Sequence, residues 1–147
     1  MEHRVAVSWE RQGAFSHEGF ERRHSLSFQP EVTLPAGGAG NDYGADPEQL
    51  LAAAMASCHM QTFLALAAKK RLTVDFYYDD AEAVLGQKDD GKFWIETLIL
   101  RPRVGFSGDK VPDDAVVVAM HNKAHEHCFV ANSVISEVVI EPGFQAT

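Results

Sequence analysis

Residues 46–71 read DPEQLLAAAMASCHMQTFLALAAKKR. Asp46 suits a helix N-cap and Pro47 the first helical position. Gln49 sits where its amide can return a hydrogen bond to the cap, closing a capping box. Residues of high helix propensity then continue to Ala68. Lys69, Lys70 and Arg71 suit the negative end of a helix dipole. Leu51, Met55, Cys58, Thr62 and Leu66 keep the i, i+3, i+4 spacing of one helical face. A helix of about 22 residues would be roughly 33 Å long. Apolar and small residues lie nearly all round it, which predicts a central, buried element.

Outward from this helix, the chain reads mostly as strands. Val5, Val7 and Trp9 alternate within a strand from His3 to Trp9. Leu26 and Phe28 mark a second strand within residues 20–28. Pro35 to Gly44 reads as a flexible loop just before the helix. On the other side, residues 74–85 and 93–106 read as two strands, with Asp89-Asp90-Gly91 as the turn between them. Pro112 to about His127 reads as a second helix, with Asp113 and Asp114 in its first turn. Val134 to Ile140 is a final strand. Paired antiparallel strands, with helices that do not alternate one for one, predict an α+β fold.

The 147 residues fit one domain, residues 1–147. Hydrophobic residues make up 46% of the chain, enough for a core without a metal or disulfide staple. The formal net charge is −8, from 21 acidic and 13 basic residues. That balance argues against nonspecific nucleic-acid binding and against anchoring on anionic lipid. No apolar run approaches the roughly 20 residues of a membrane span. The start at Met1 lacks the apolar stretch of a signal peptide. Two cysteines do not make a secreted disulfide scaffold. A cytoplasmic protein with reduced thiols is the expectation.

Cys58 falls in the middle of the long helix, where a free cysteine also serves as a small core hydrophobe. Cys128 falls where the second helix should end, and the negative end of a dipole raises a thiol pKa. It is a poor nucleophile there, yet suited to resolving a sulfenic acid on a partner thiol. The count of two fits an attacking and resolving pair, and equally two unrelated thiols. His121, His125 and His127 lie near Cys128. They admit a zinc site through His125, His127 and Cys128, but the spacing matches neither CxxC nor HExxH. A solvated helix end is the plainer reading, and no metal is expected. His59 follows Cys58 directly, but adjacent helical residues point about 100° apart, so it is not placed as a base for that thiol.

The segment from Asp46 through Cys58 to Met60 resembles the first-cysteine helix of the osmotically inducible protein C and organic hydroperoxide resistance family (OsmC/Ohr). The run from Cys128 to Ser133 is similar to the family's second-cysteine segment, with Phe129 where many members carry proline. The resemblance extends from Trp9 to the last strand. Residues 20–24 and the Ser57-Cys58-His59-Met60 run look closer to an OsmC-like subgroup than to the hydroperoxide resistance enzymes proper.

The resemblance implies an OsmC-like α+β fold, with antiparallel sheets around the cysteine-bearing helix. It also implies an intertwined homodimer with two interfacial active sites. By the same resemblance, Cys58 attacks an organic hydroperoxide, with hydrogen peroxide a poorer substrate, and becomes a sulfenic acid. Cys128 condenses with it, and a dithiol reductant of the lipoyl type restores both thiols. No cofactor is implied. A thiol in apolar surroundings resists ionisation, so a cation is needed nearby, and the family uses an arginine held by a glutamate. Glu48 matches that glutamate by its place in the helix start, though ten residues of helix, about 15 Å, separate it from Cys58. Arg22 is the choice for the arginine, ahead of Arg23 and Arg11. Met55, Met60 and Phe129 are expected to line an apolar substrate pocket. The competing reading is a non-catalytic dimer of the same fold that binds a small apolar ligand or senses redox state.

Overall fold

A computed structural model describes residues 1–144 of the chain. The chain divides into two compact units, Met1–Leu50 and a larger one from Leu51 onward.

The first unit is a three-stranded antiparallel sheet in sequence order: β1 (Ala6–Ser8), β2 (His24–Gln29) and β3 (Val32–Ala36). β1 lies inside its expected segment but is shorter, while β2 starts four residues later than expected and ends one residue later, at Gln29. β3 takes up the start of the expected loop, because Leu34 and Ala36 find partners in Leu26 and His24. The remaining loop is tied down. Asn41 Oδ1 accepts the backbone N–H groups of Tyr43 and Gly44, at 2.9 and 2.8 Å. Gly44 lies against the backbone of Pro35, where an added Cβ would come 2.4 Å from the carbonyl oxygen.

The long helix, α1 (Pro47–Lys69), begins at the expected cap. Asp46 Oδ1 accepts the Gln49 N–H at 2.7 Å, and Gln49 Oε1 accepts the Asp46 N–H at 3.0 Å. The expected burial all round is corrected. The buried stripe is Ala52, Met55, His59, Phe63 and Ala67, one residue round from the expected face except at Met55. Ala54, Ser57, Gln61 and Ala65 form an exposed stripe of small and polar residues. The expectation that no run approaches a membrane span is also corrected, since α1 is long and apolar enough by length and composition.

The second unit holds two sheets and α2 (Asp114–His127). The two expected strands are each broken in two: β4 (Thr73–Asp79) with β5 (Glu82–Gln87), and β6 (Phe93–Leu100) with β7 (Pro102–Ser107). The breaks face each other, and Asp79 Oδ1 accepts the Arg101 N–H at 2.7 Å across them. β4 pairs with β7, while β5 pairs with β6 around the expected turn at residues 88–91. In that turn Gly91, at φ 88°, donates its N–H to the Lys88 carbonyl. The final strand, β8 (Glu137–Ile140), lies parallel to β6. The expectation of antiparallel sheets is corrected accordingly: this sheet is mixed. The expected α2 is present with Asp113 as its N-cap and Cys128 as its C-cap.

Two apolar clusters hold the second unit. Phe63, Ala67, Leu72, Val117, Met120 and Ala124 form one. Ala52, Met55, Leu98, Leu100 and Cys128 form the other, with Cys58 packed at its edge.

Candidate active site at the two thiols

Cys58 and Cys128 lie 70 positions apart in sequence and meet in the second apolar cluster. α1 brings Cys58 there on the flank of its buried stripe. The turn after α2 brings Cys128, fully buried at 0% exposure. Both thiols are free. The Ala131 N–H points at Cys128 Sγ from 3.4 Å. Burial, and then the neighbouring Cys58 thiol, push the Cys128 thiol up to about 11. The sequence anticipated the direction from the helix end; burial is the larger cause.

Cys58 is half-buried and opens on a pocket of about 530 Å³. Ser57, Gln61 and Thr62 of α1 line it on one side. His127 and Phe129, the residues flanking Cys128, line it on the other. So Cys128 turns inward while both its neighbours face the space in front of Cys58. Phe129 is 83% exposed and lines this pocket as expected of a substrate contact. Met55 does not, because it lies on the core stripe at 0% exposure. Met60 is half-buried on α1 and is not among the residues lining the pocket.

Arg22 and Glu48 come together elsewhere, in the first unit. Both line a groove of about 660 Å³ whose walls include Val7, Trp9, Phe15 and Phe20. The Arg22 guanidinium carbon lies 4.3 Å from the Phe20 ring centroid. Gly38 makes room for it, since an added Cβ would come within 2.9 Å of Arg22 Cδ. Glu48 Oε2 is buried without a hydrogen-bond partner. Of the other two arginines, Arg23 stacks over the Tyr43 ring at 3.9 Å and Arg11 donates to the Gly13 carbonyl.

Sequence reasoning missed a buried histidine pair on the far side of α1. His59 Nε2 and His121 Nδ1 share a hydrogen bond of 2.9 Å, edge to edge, with the ring planes 9° apart. This explains physically why His59 does not serve Cys58. Burial lowers the pKa of both to about 4, His125 adding to the effect on His59 and His59 to that on His121. Their partnership across 62 residues leaves no local signal in the sequence. No three His, Cys, Asp or Glu side chains among the described residues are placed to hold a metal ion.

The histidine pair predicts acid sensitivity. An unfolded histidine binds its proton near pH 6.5; folded, these two bind theirs only near pH 4. Between those values the unfolded chain holds more protons, so stability falls as pH falls. The contribution is complete above about pH 6.5 and is lost as pH drops toward 4. The thermal midpoint is expected to fall from pH 7.5 to pH 4.5. The slope should shrink in a His59→Phe, His121→Leu double variant. An unchanged slope in that variant would assign the acid sensitivity to other groups.

With the geometry established, comparison with known proteins places it. The OsmC-like protein family matches residues 38–142. Among solved structures, an OsmC-like protein of unknown function from Vibrio cholerae is 37% identical, over 97% of this chain and 99% of that one, with a TM-score of 0.93. An organic hydroperoxide resistance protein of Bacillus subtilis shares the fold at 18% identity, over 99% and 98% of the two chains, with a TM-score of 0.70. One from Legionella pneumophila does so at 17% identity, over 99% and 98%, with a TM-score of 0.67. No match was found among curated proteins. The match covers α1, both cysteines and the strands that seat them, and on that ground the chain belongs to the OsmC-like protein family.

Proposed function

We propose that the protein is a thiol peroxidase for organic hydroperoxides, with Cys58 as the attacking and Cys128 as the resolving thiol. The observation that carries this reading is the asymmetry of the pair. One thiol opens on a pocket, and the other is sealed behind it in the same cluster. Such an arrangement separates the two steps by access. A hydroperoxide reaches Cys58 alone. Its thiolate bonds to the terminal peroxide oxygen, the O–O bond breaks, and the electron pair leaves with the alkoxide, which takes up a proton. The Cys58 sulfenic acid then faces Cys128; the S–S bond forms and water leaves. A dithiol reductant, of the lipoyl type by the family resemblance, exchanges with that disulfide and returns both thiols.

A homodimer is proposed with this reading, as the family resemblance implies. Arg22 and Glu48, which line a separate groove in the first unit, are proposed to serve the Cys58 of a second copy, in line with the interfacial sites that the family resemblance implies. The same groove favours the second reading, a dimer that binds an apolar ligand without turnover.

Single-turnover oxidation of the reduced protein by cumene hydroperoxide and by hydrogen peroxide separates the two. Two thiols per chain are expected to be lost to an internal disulfide, faster with the organic peroxide. Thiol loss no faster than that of an ordinary cysteine would overturn the peroxidase reading in favour of ligand binding.

A further inference from the structure

The pocket in front of Cys58 has few side chains able to exchange a proton. Apart from Cys58 itself, the residues lining it include one titratable side chain, His127, and no Lys, Arg, Asp or Glu. Behind Cys58 lies the apolar cluster that includes the second thiol, Cys128. Cys128 holds its own proton through neutral pH, so it cannot take another thiol's. His59, next in sequence, is occupied with His121 on the buried stripe. The position of His127 follows from the fold. α2 ends at His127, and Cys128 caps it with extended backbone, φ −73° and ψ 117°. That change of direction buries residue 128 and leaves residue 127 on the solvent side of the same turn.

We propose that His127 is the general base and acid for Cys58. This rests on the peroxidase reading for its second half only. The neutral imidazole takes the Cys58 thiol proton, giving a thiolate beside an imidazolium. The thiolate attacks the terminal oxygen of the hydroperoxide and the O–O bond breaks. The imidazolium returns the proton to the departing alkoxide. The products are the Cys58 sulfenic acid and one alcohol, and His127 ends neutral as it began. An imidazole suits both transfers because its pKa lies near neutral pH. An ion pair with imidazolium is a recognised way to hold a cysteine as thiolate. An arginine, always charged, supplies the field but cannot carry the proton. Arg22 and His127 therefore have different tasks.

The test is the pH profile of Cys58 alkylation by iodoacetamide, with the modified cysteine identified by peptide mapping. It needs no peroxide, so it stands apart from the test of the peroxidase reading. In the parent protein the rate should rise through an inflection below that of a free thiol, about 8.5. In His127→Gln the inflection should move up to that value or beyond, and the rate at pH 7 should fall about tenfold or more. His127 is exposed, so the variant is expected to fold; a circular dichroism spectrum matching the parent's checks this. Identical profiles for parent and variant would overturn the proposal. A shifted profile in a protein that ignores cumene hydroperoxide would sustain the His127–Cys58 pair and overturn the peroxidase reading. Rapid peroxide reduction with equal rates and pH dependence in parent and variant would overturn the role of His127 and leave the peroxidase reading intact.

Discussion

Cys58→Ser is expected to abolish oxidation by cumene hydroperoxide, while Cys128→Ser is expected to react once and stop at a sulfenic acid. The two outcomes differ because access and ionisation both separate the thiols. Cys128 is fully buried, and its pKa stands near 11. At pH 7 roughly one such thiol in ten thousand is ionised. With Cys58 gone, the remaining cysteine is therefore sealed and protonated, and has no route to a peroxide. With Cys128 gone, the pocket is untouched, so the first step survives and the product has no thiol to condense with. The same raised pKa sets a sign for the second step. Closure of the disulfide needs the Cys128 thiolate, so its rate should climb with pH through the neutral range. Stopped-flow measurement in the parent, with trapping of the sulfenic acid by dimedone in Cys128→Ser, reads both. Equal reactivity of the two single variants would contradict the assignment of roles.

Phe63→Ala is expected to be the most damaging change outside the thiols. Phe63 has no exposed surface and sits at the centre of the first cluster. Its ring meets Tyr77 edge-on at 5.7 Å, Phe106 at 6.4 Å, and the His121 ring at 4.3 Å in a stack. Truncating a buried phenylalanine costs about 3–5 kcal/mol. For a protein of this size that lowers the thermal midpoint by roughly 10 °C or more. A second readout comes from the histidine. Phe63 covers one face of His121, while His59 meets its edge at Nδ1. Opening that face admits water, so the His121 pKa should rise from about 4 toward its ordinary value. Proton NMR of the imidazole follows this directly. A large loss of stability without any movement of that pKa would mean that the cavity closes instead of hydrating.

The parts of the fold that local chemistry dictates were legible in the sequence. The capping box at Asp46 and Gln49 has the predicted pair of hydrogen bonds. The turn at Gly91 and the end of α2 at Cys128 also stand where residue types alone put them. What depends on distant partners was not legible. α1 carries apolar or small residues on most of its faces, so its composition could not choose between the Leu51 and Ala52 stripes. The sheets and α2 made that choice by packing on one side. Strand direction is likewise silent in a four-residue segment such as β8, whose partner β6 lies some 40 positions earlier. The site followed the same division. Both cysteines were apparent from their segments. The place of His127 before Cys58 depends on how α2 ends, and Arg22 and Glu48 share a groove through the folding of residues 1–50.

The parallel pairing of β8 with β6 bears on how the thiol pair is assembled during synthesis. β8 emerges from the ribosome after every other described strand, and Val134, Val138 and Ile140 pack against the cluster that holds Cys128. Non-local strand pairing of this kind is slow and comes late. Until it forms, the cluster that holds residues 128–133 beside α1 lacks its β8 side chains. A nascent chain thus carries Cys58 on a helix that can fold early, with its partner still elsewhere. On that order of events the two thiols come together only as the sheet is completed.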